Sequence, residues 1–329
     1  MTRVAVLLGA FFLLAAVLTG PKGVDAQSER LHRIGMLERT PVATNSANVE
    51  ALRQGLRELG YIEGETFTIE YRSADGRDER FPALAADLVS SRVDLIVARG
   101  TPAALAAKQA TRTIPVVITG VGDPVGQGVV ASLARPGGNV TGLSAAVTAI
   151  YPKRVHLLKE LVPRAARIGV LFNMANPALP PQWKEVEKAA RSLGIEPLLL
   201  DVRKADDLEP AFESAVRQRV DALIIGIDTL TQANSRLIVD LAARYRLPAM
   251  YASSEFAGGL ISYGVNYPET YRRAAAFAHK IFKGTKPSDL PVEEPTTLEL
   301  VISPRTGRAL GITIPPSLLL RADRLSESP

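Results

Sequence analysis

The chain has 329 residues, 39 Lys and Arg against 34 Asp and Glu, three histidines and no cysteine, with a formal net charge of +5. Without cysteine there can be no disulfide, thiolate metal site or lipid-modified cysteine. The basic residues are interspersed with acids and aromatics are only 5% of the chain, so the mild positive balance points to solvation and not to a nucleic-acid surface.

In chain order, Arg3 followed by "VAVLLGAFFLLAAVLTG" and the small residues up to Ala26 predicts an export signal over residues 1–26, with Gln27 as the mature N-terminus. Cleavage there removes Arg3, Lys22 and Asp25, leaving 303 residues of charge +4, enough for two ordinary domains. Strand and helix patterns then alternate. Ile34–Leu37 reads as a strand and Asn45–Leu59 as a helix closed by Gly60. Phe67–Tyr71 is a strand, Arg80–Ser90 a helix, Val93–Ala98 a strand, Pro102–Thr111 a helix capped by Thr101, and Val116–Thr119 a strand. The series restarts with strand Ile168–Phe172, helix Gln182–Leu193, strand Pro197–Asp201, helix Leu208–Gln218, strand Ala222–Gly226, helix Ser235–Tyr245 and strand Ala249–Tyr251.

The restart is a duplication. "RIGML" from Arg33 returns as "RIGVL" from Arg167, and Leu59-Gly60 returns as Leu193-Gly194, both 134 residues later. "VDLIV" from Val93 returns from Val220, and Pro115 corresponds to Pro248. The expected fold class is therefore α/β, with two doubly wound parallel-sheet lobes. "GGNVTGLSA" and "GGLISYGVNY" follow the fourth strand of each half, and the tail continues past both. Val140–Ser144 and Ser262–Asn266 are accordingly expected to act as hinge strands. The first lobe is assigned residues 27–142 plus about 266–292, and the second 143–265 plus about 293–329.

The blocks "GLRELGYIEGETFTIEYRSADG", "VDLIVARGTPAALAAKQATRTIPVV", "GDPVGQGVVASLARPGGNVTGLS", "YRRAAAFAHKIFKGTKPSDLPVEEPTTLELVIS" and "ALGITIPPSLLLRADRL" span nearly the whole mature chain. They resemble the ABC-transporter substrate-binding proteins of the tryptophan/tyrosine-binding type. The resemblance implies a type I periplasmic binding fold with a three-segment hinge. It also implies a small ligand clamped between the lobes, no catalysis, and service to an ABC permease of the inner membrane. With the export signal and the absence of cysteine, the expected protein is a cofactor-free monomer free in the periplasm. A membrane sensor in place of the permease, and an exported hydrolase, are the alternative readings.

In open α/β sheets, ligands bind beyond the carboxyl ends of the strands. Those ends carry Thr40, Gly100, Thr101, Thr119 and Gly120 in the first half, and Asn173, Asn176, Asp228, Thr229 and Ser253 in the second. Neutral donors in the first lobe would take a carboxylate and Asp228 an ammonium, which favours an amino acid or analogue. Asp228 and Thr101 could equally be helix caps, and Asp123 reads as a turn residue. "GVGDPVGQG" does not fit G-x-G-x-x-G, no phosphate loop occurs, and "GLSAA" lacks the last glycine of a nucleophile elbow. His32, His156 and His279 have no metal-ligand spacing.

Overall fold

The computed structural model describes residues 30–145, 150–295 and 298–326, and Leu31–Pro329 forms one compact unit. The expected export signal lies outside the described residues. The elements in chain order are β1 (His32–Glu38), α1 (Ser46–Glu58), β2 (Phe67–Ser73), α2 (Phe81–Ser90), β3 (Leu95–Arg99), α3 (Gly100–Ala110), β4 (Val116–Val121) and β5 (Val140–Ser144). These are followed by α4 (Ile150–Leu161), β6 (Arg167–Phe172), α5 (Leu179–Ser192), β7 (Glu196–Asp201), α6 (Leu208–Arg217), β8 (Ala222–Ile225), α7 (Thr229–Ala233), α8 (Ser235–Arg244) and β9 (Ala249–Tyr251). The chain ends with β10 (Ile261–Val265), α9 (Tyr267–Phe282), β11 (Leu298–Ile302), α10 (Pro304–Leu310), α11 (Pro316–Arg321) and β12 (Arg324–Leu325).

Two sheets result. The first is parallel throughout, in the order β2-β1-β3-β4-β5. Its inner strands β3 and β4 are buried on both faces because helices cover both, whereas the edge strand β2 is half-buried and partly polar. Ile34, Met36, Leu95 and Val97 join one core with α1, against which α9 packs. Leu37, Ile96 and Ala98 point the other way, into a core built with α2 and α3. The second sheet runs β12-β11-β10-β9-β8-β6-β7, with β10 and β11 the one antiparallel pair among its described pairings.

The duplicated Val-Asp pair has the same job in each lobe. Asp94 accepts the Arg33 amide at 2.8 Å, and Asp221 accepts the amides of Ala166 and Arg167 at 2.8 Å each. Each carboxylate therefore satisfies the first amides of its lobe's leading strand. Arg92 and Arg219, two residues before these aspartates, both take left-handed φ, at 54° and 55°.

The segments expected to be hinges are ordinary sheet strands. β5 closes the edge of the first sheet and β10 lies inside the second. Two crossings start where these strands end, after Ser144 and after Val265, and the chain returns between the end of α9 at Phe282 and the start of β11 at Leu298. The third crossing brings Glu293 alongside β5, where its amide donates to Gly142 and its carbonyl accepts from Ser144, each at 2.9 Å. The three connections lie at the carboxyl ends of the strands, and this places both rows of strand-end residues opposite each other.

Candidate functional site

Between the rows lies a polar layer that is almost entirely buried. From the first lobe come Arg39, Asn45, Asn48, Arg99 and Thr101, each at most 4% exposed. From the second come Asn173, Asn176, Gln182, Asp228, Thr229 and Gln232, each at most 6% exposed. A cavity of about 20 Å³ is enclosed here by Arg39, Thr101, Gly120, Asn176, Gln182 and Tyr267, with Leu179 and Ile227 as apolar walls.

Several buried polar atoms in this layer have no hydrogen-bond partner: Nε and Nη1 of Arg39, the hydroxyls of Thr101 and Thr229, Oδ2 of Asp228 and Oε1 of Gln232. Leaving such groups dry and unpaired typically costs about 1–3 kcal/mol each, so a cluster of them marks a place built to meet something else.

The chain's own folding explains how they converge. Gly100 opens α3 with φ of 78°, and any Cβ there would run into the Arg39 guanidinium. Glycine at that position both makes the turn and leaves room for Arg39. The N-cap of α3 is Arg99 and no side chain caps it, so the expected Thr101 cap is not formed. Thr101 sits inside the first turn with its hydroxyl free.

Asp228 is the N-cap of α7. Its Oδ1 accepts the Thr231 amide at 2.8 Å and the Thr231 hydroxyl at 3.0 Å. Only one carboxylate oxygen is used in capping; the other makes no well-formed hydrogen bond, although the Asn173 side chain lies near enough to stabilise its charge. Burial raises the Asp228 pKa, while Thr231, Asn173 and Arg39 act in the opposite direction. Asp78, on the first lobe, lies beside Thr229, and burial together with the nearby Asp228 charge lifts its pKa as well.

Of the other expected site residues, Gly120 and Asn176 line the cavity. Asn173 and Asn176 use their side-chain oxygens to accept the amides of Ala175 and Ala178, at 3.1 and 3.0 Å. Thr119 is fully buried with its hydroxyl 3.5 Å from the Ala98 carbonyl, and it is not among the residues that line this cavity. Thr40 is buried and offers its carbonyl to Tyr71 at 2.6 Å. The Ser253 hydroxyl is engaged by Glu255 at 3.2 Å. Asp123 holds its own loop by accepting the Gly126 amide at 2.8 Å.

The charged residues Arg39, Arg99 and Glu255 are the members that sequence reasoning missed. Arg99 did carry a signal, being a lone cation ending a wholly apolar strand. Glu38, fully buried at the end of β1, accepts from the Tyr271 hydroxyl at 2.5 Å. Burial pushes its pKa up to about 7 despite Arg99, Tyr271 and Arg39, and the Glu255 charge adds to the rise. Among the described residues no group of His, Cys, Asp and Glu could hold a metal ion.

Comparison with known proteins agrees with this architecture. Residues 42–326 match the family described as ABC transporter substrate binding protein. A tyrosine-binding protein of Clostridioides difficile is 30% identical over 259 residues, covering 78% of this chain and 74% of that protein. Among solved structures, an ABC domain from Streptococcus pneumonia in complex with L-Trp superposes with a TM-score of 0.79 at 26% identity, over 89% of this chain and 100% of that one. A ligand-free, open substrate-binding protein with adhesive properties from Clostridium difficile gives a TM-score of 0.65 at 27% identity, over 91% and 100% of the two chains.

Proposed function

The chain belongs to the ABC transporter substrate-binding protein family, and from that premise we propose that it captures an amino acid between its lobes, an aromatic one being the leading case. The family consists of binding proteins and not enzymes. The observation that carries the reading is the pairing of unsatisfied buried groups across the cleft: Arg39 and the Thr101 hydroxyl on one wall, the free Asp228 oxygen on the other. A guanidinium with a hydroxyl suits an α-carboxylate, and a carboxylate suits an α-ammonium. Arg39 takes the part that the sequence alone assigned to neutral donors.

The preference for an aromatic amino acid draws support from the tyrosine-binding relative and the L-Trp complex. Tyr267, Leu179 and Ile227 would flank such a ring. The likeness is greater to the L-Trp complex than to the open structure, as expected of closed lobes. A cavity of about 20 Å³ has room for roughly one water, so the lobes must part to admit a ligand and re-form the site around it. We place this work in the periplasm, following export directed by residues 1–26, with delivery to an ABC permease.

The test is calorimetric. Tyrosine, tryptophan, phenylalanine and other amino acids are titrated into the protein, then into Asp228→Asn. Losing one partner of a buried charge-assisted contact costs about 2–5 kcal/mol, so affinity should fall at least roughly thirtyfold. A folded Asp228→Asn that binds like the parent would reduce Asp228 to a helix cap. No heat from any amino acid would remove the ligand class.

A further inference from the structure

Beside the proposed ligand position, the lobes are joined by an arrangement made wholly of protein groups. Glu255 lies on the second lobe, after β9, and reaches into the first lobe to form an ion pair with Arg99 at the end of β3. Both of its oxygens are occupied. Oε1 accepts the Asn48 amide at 2.7 Å, and Oε2 accepts from Gln232 at 3.0 Å and Ser253 at 3.2 Å in addition to Arg99. Arg99 donates to Asn45 at 3.2 Å, and its guanidinium stacks 4.0 Å over the ring of Tyr267, which lines the cavity. Its side chain is 1% exposed and that of Glu255 is 19% exposed.

A buried ion pair stabilises only where further hydrogen bonds support both partners; here both Glu255 oxygens are bonded and both Arg99 Nη groups donate, with Nε alone left without a partner. Burial alone disfavours both charges. Glu255 offsets this for Arg99, whose pKa stays above its ordinary value, and Arg99 with Asn48 and Arg39 holds the Glu255 carboxyl below its own. Two of the four partners, Arg99 and Asn48, are on the opposite lobe from Glu255, so parting the lobes would break those two contacts.

Arg99 also has a second acid within reach of its charge, Glu38 on its own lobe. Parting the lobes takes away Glu255, and Glu38, which makes no ion pair with Arg99 and whose pKa burial lifts to about 7, replaces it only in part, so the pair favours the closed arrangement.

We propose that Arg99 and Glu255 are a latch that holds the lobes closed without any contact to ligand, and that they act on capture as positioning residues. If so, they set the closed fraction of the ligand-free protein, and apparent affinity scales with that fraction. The latch rests on the two-lobe binding reading, but its test needs no ligand and is decided separately from what the cleft binds.

Small-angle scattering is recorded on the ligand-free parent and on Glu255→Gln, with circular dichroism to verify folding. The latch predicts a larger radius of gyration for Glu255→Gln. In titrations against whichever amino acid binds the parent, it also predicts a weaker affinity by the same factor as the loss of closed population. An unchanged ligand-free profile overturns it. If binding is nevertheless weakened, Glu255 is a ligand contact and not a latch. Should Glu255→Gln fail to fold, the double variant Asn48→Ala/Gln232→Ala, which strips two flanking bonds and keeps the charges, must show the same opening, and an unchanged profile there overturns the latch equally.

Discussion

Removing the charge of Glu38 should make the protein more stable in base while changing little in acid. Glu38 is fully buried, one oxygen accepts from Tyr271 at 2.5 Å, and the other has no partner. Its pKa rises from an ordinary 4.5 to about 7, with burial the largest cause. The fold thus prefers the protonated acid. The stabilisation from that preference is complete below pH 4.5 and is lost as pH climbs through about 7. A rise from 4.5 to about 7 converts to about 3 kcal/mol. Glu38→Gln keeps an oxygen for the Tyr271 hydroxyl and never ionises. Thermal unfolding of parent and variant at pH 5 and pH 8.5 separates this group from all others, because every other titration is common to both proteins. Between the two pH values the variant should gain about 3 kcal/mol on the parent, on the order of 5 °C in a chain of this size. Parallel pH profiles would refute the reasoning and place Glu38 among the ordinary ionised carboxylates.

Thr101→Val should weaken ligand binding by roughly five- to tenfold, as loss of one neutral hydroxyl does. It should leave the melting temperature unchanged, because the hydroxyl caps nothing and has no protein partner; a destabilised variant would restore the capping role. Gly55→Ala should destabilise despite the better helix propensity of alanine, worth about 1 kcal/mol. A Cβ there lies 2.5 Å from the Arg272 carbonyl oxygen and 2.8 Å from the Ala275 Cβ, and crowding against backbone costs about 1–3 kcal/mol. A melting temperature at or above the parent's would show that α1 and α9 can move apart cheaply.

The sequence made the scaffold legible because both lobes repeat one local grammar. Apolar strands buried on both faces read as continuous runs, and Asp94 and Asp221 recur because each lobe must satisfy the same leading-strand amides. Boundaries such as Ala249–Tyr251 follow directly from that pattern. The cleft was legible only as a set of strand ends. Which residue at an end turns inward depends on packing between elements far apart in the chain. Arg39 enters because Gly100 lacks a side chain in its path, whereas Thr119 is fully buried and does not line the cavity. α7 is only five residues long, and no apolar period of that length announces a helix, yet it orients Asp228. Glu255 was the least accessible of all. It sits in the turn-like stretch Ser253–Phe256, and its partner Arg99 lies 156 residues upstream on the other lobe. Its role is created by the meeting of two lobes, each of which folds by rules that make no reference to it. A residue of that kind carries no periodicity, cap or motif, so only the assembled cleft reveals that an exposed-looking glutamate pairs with a buried arginine of the other lobe.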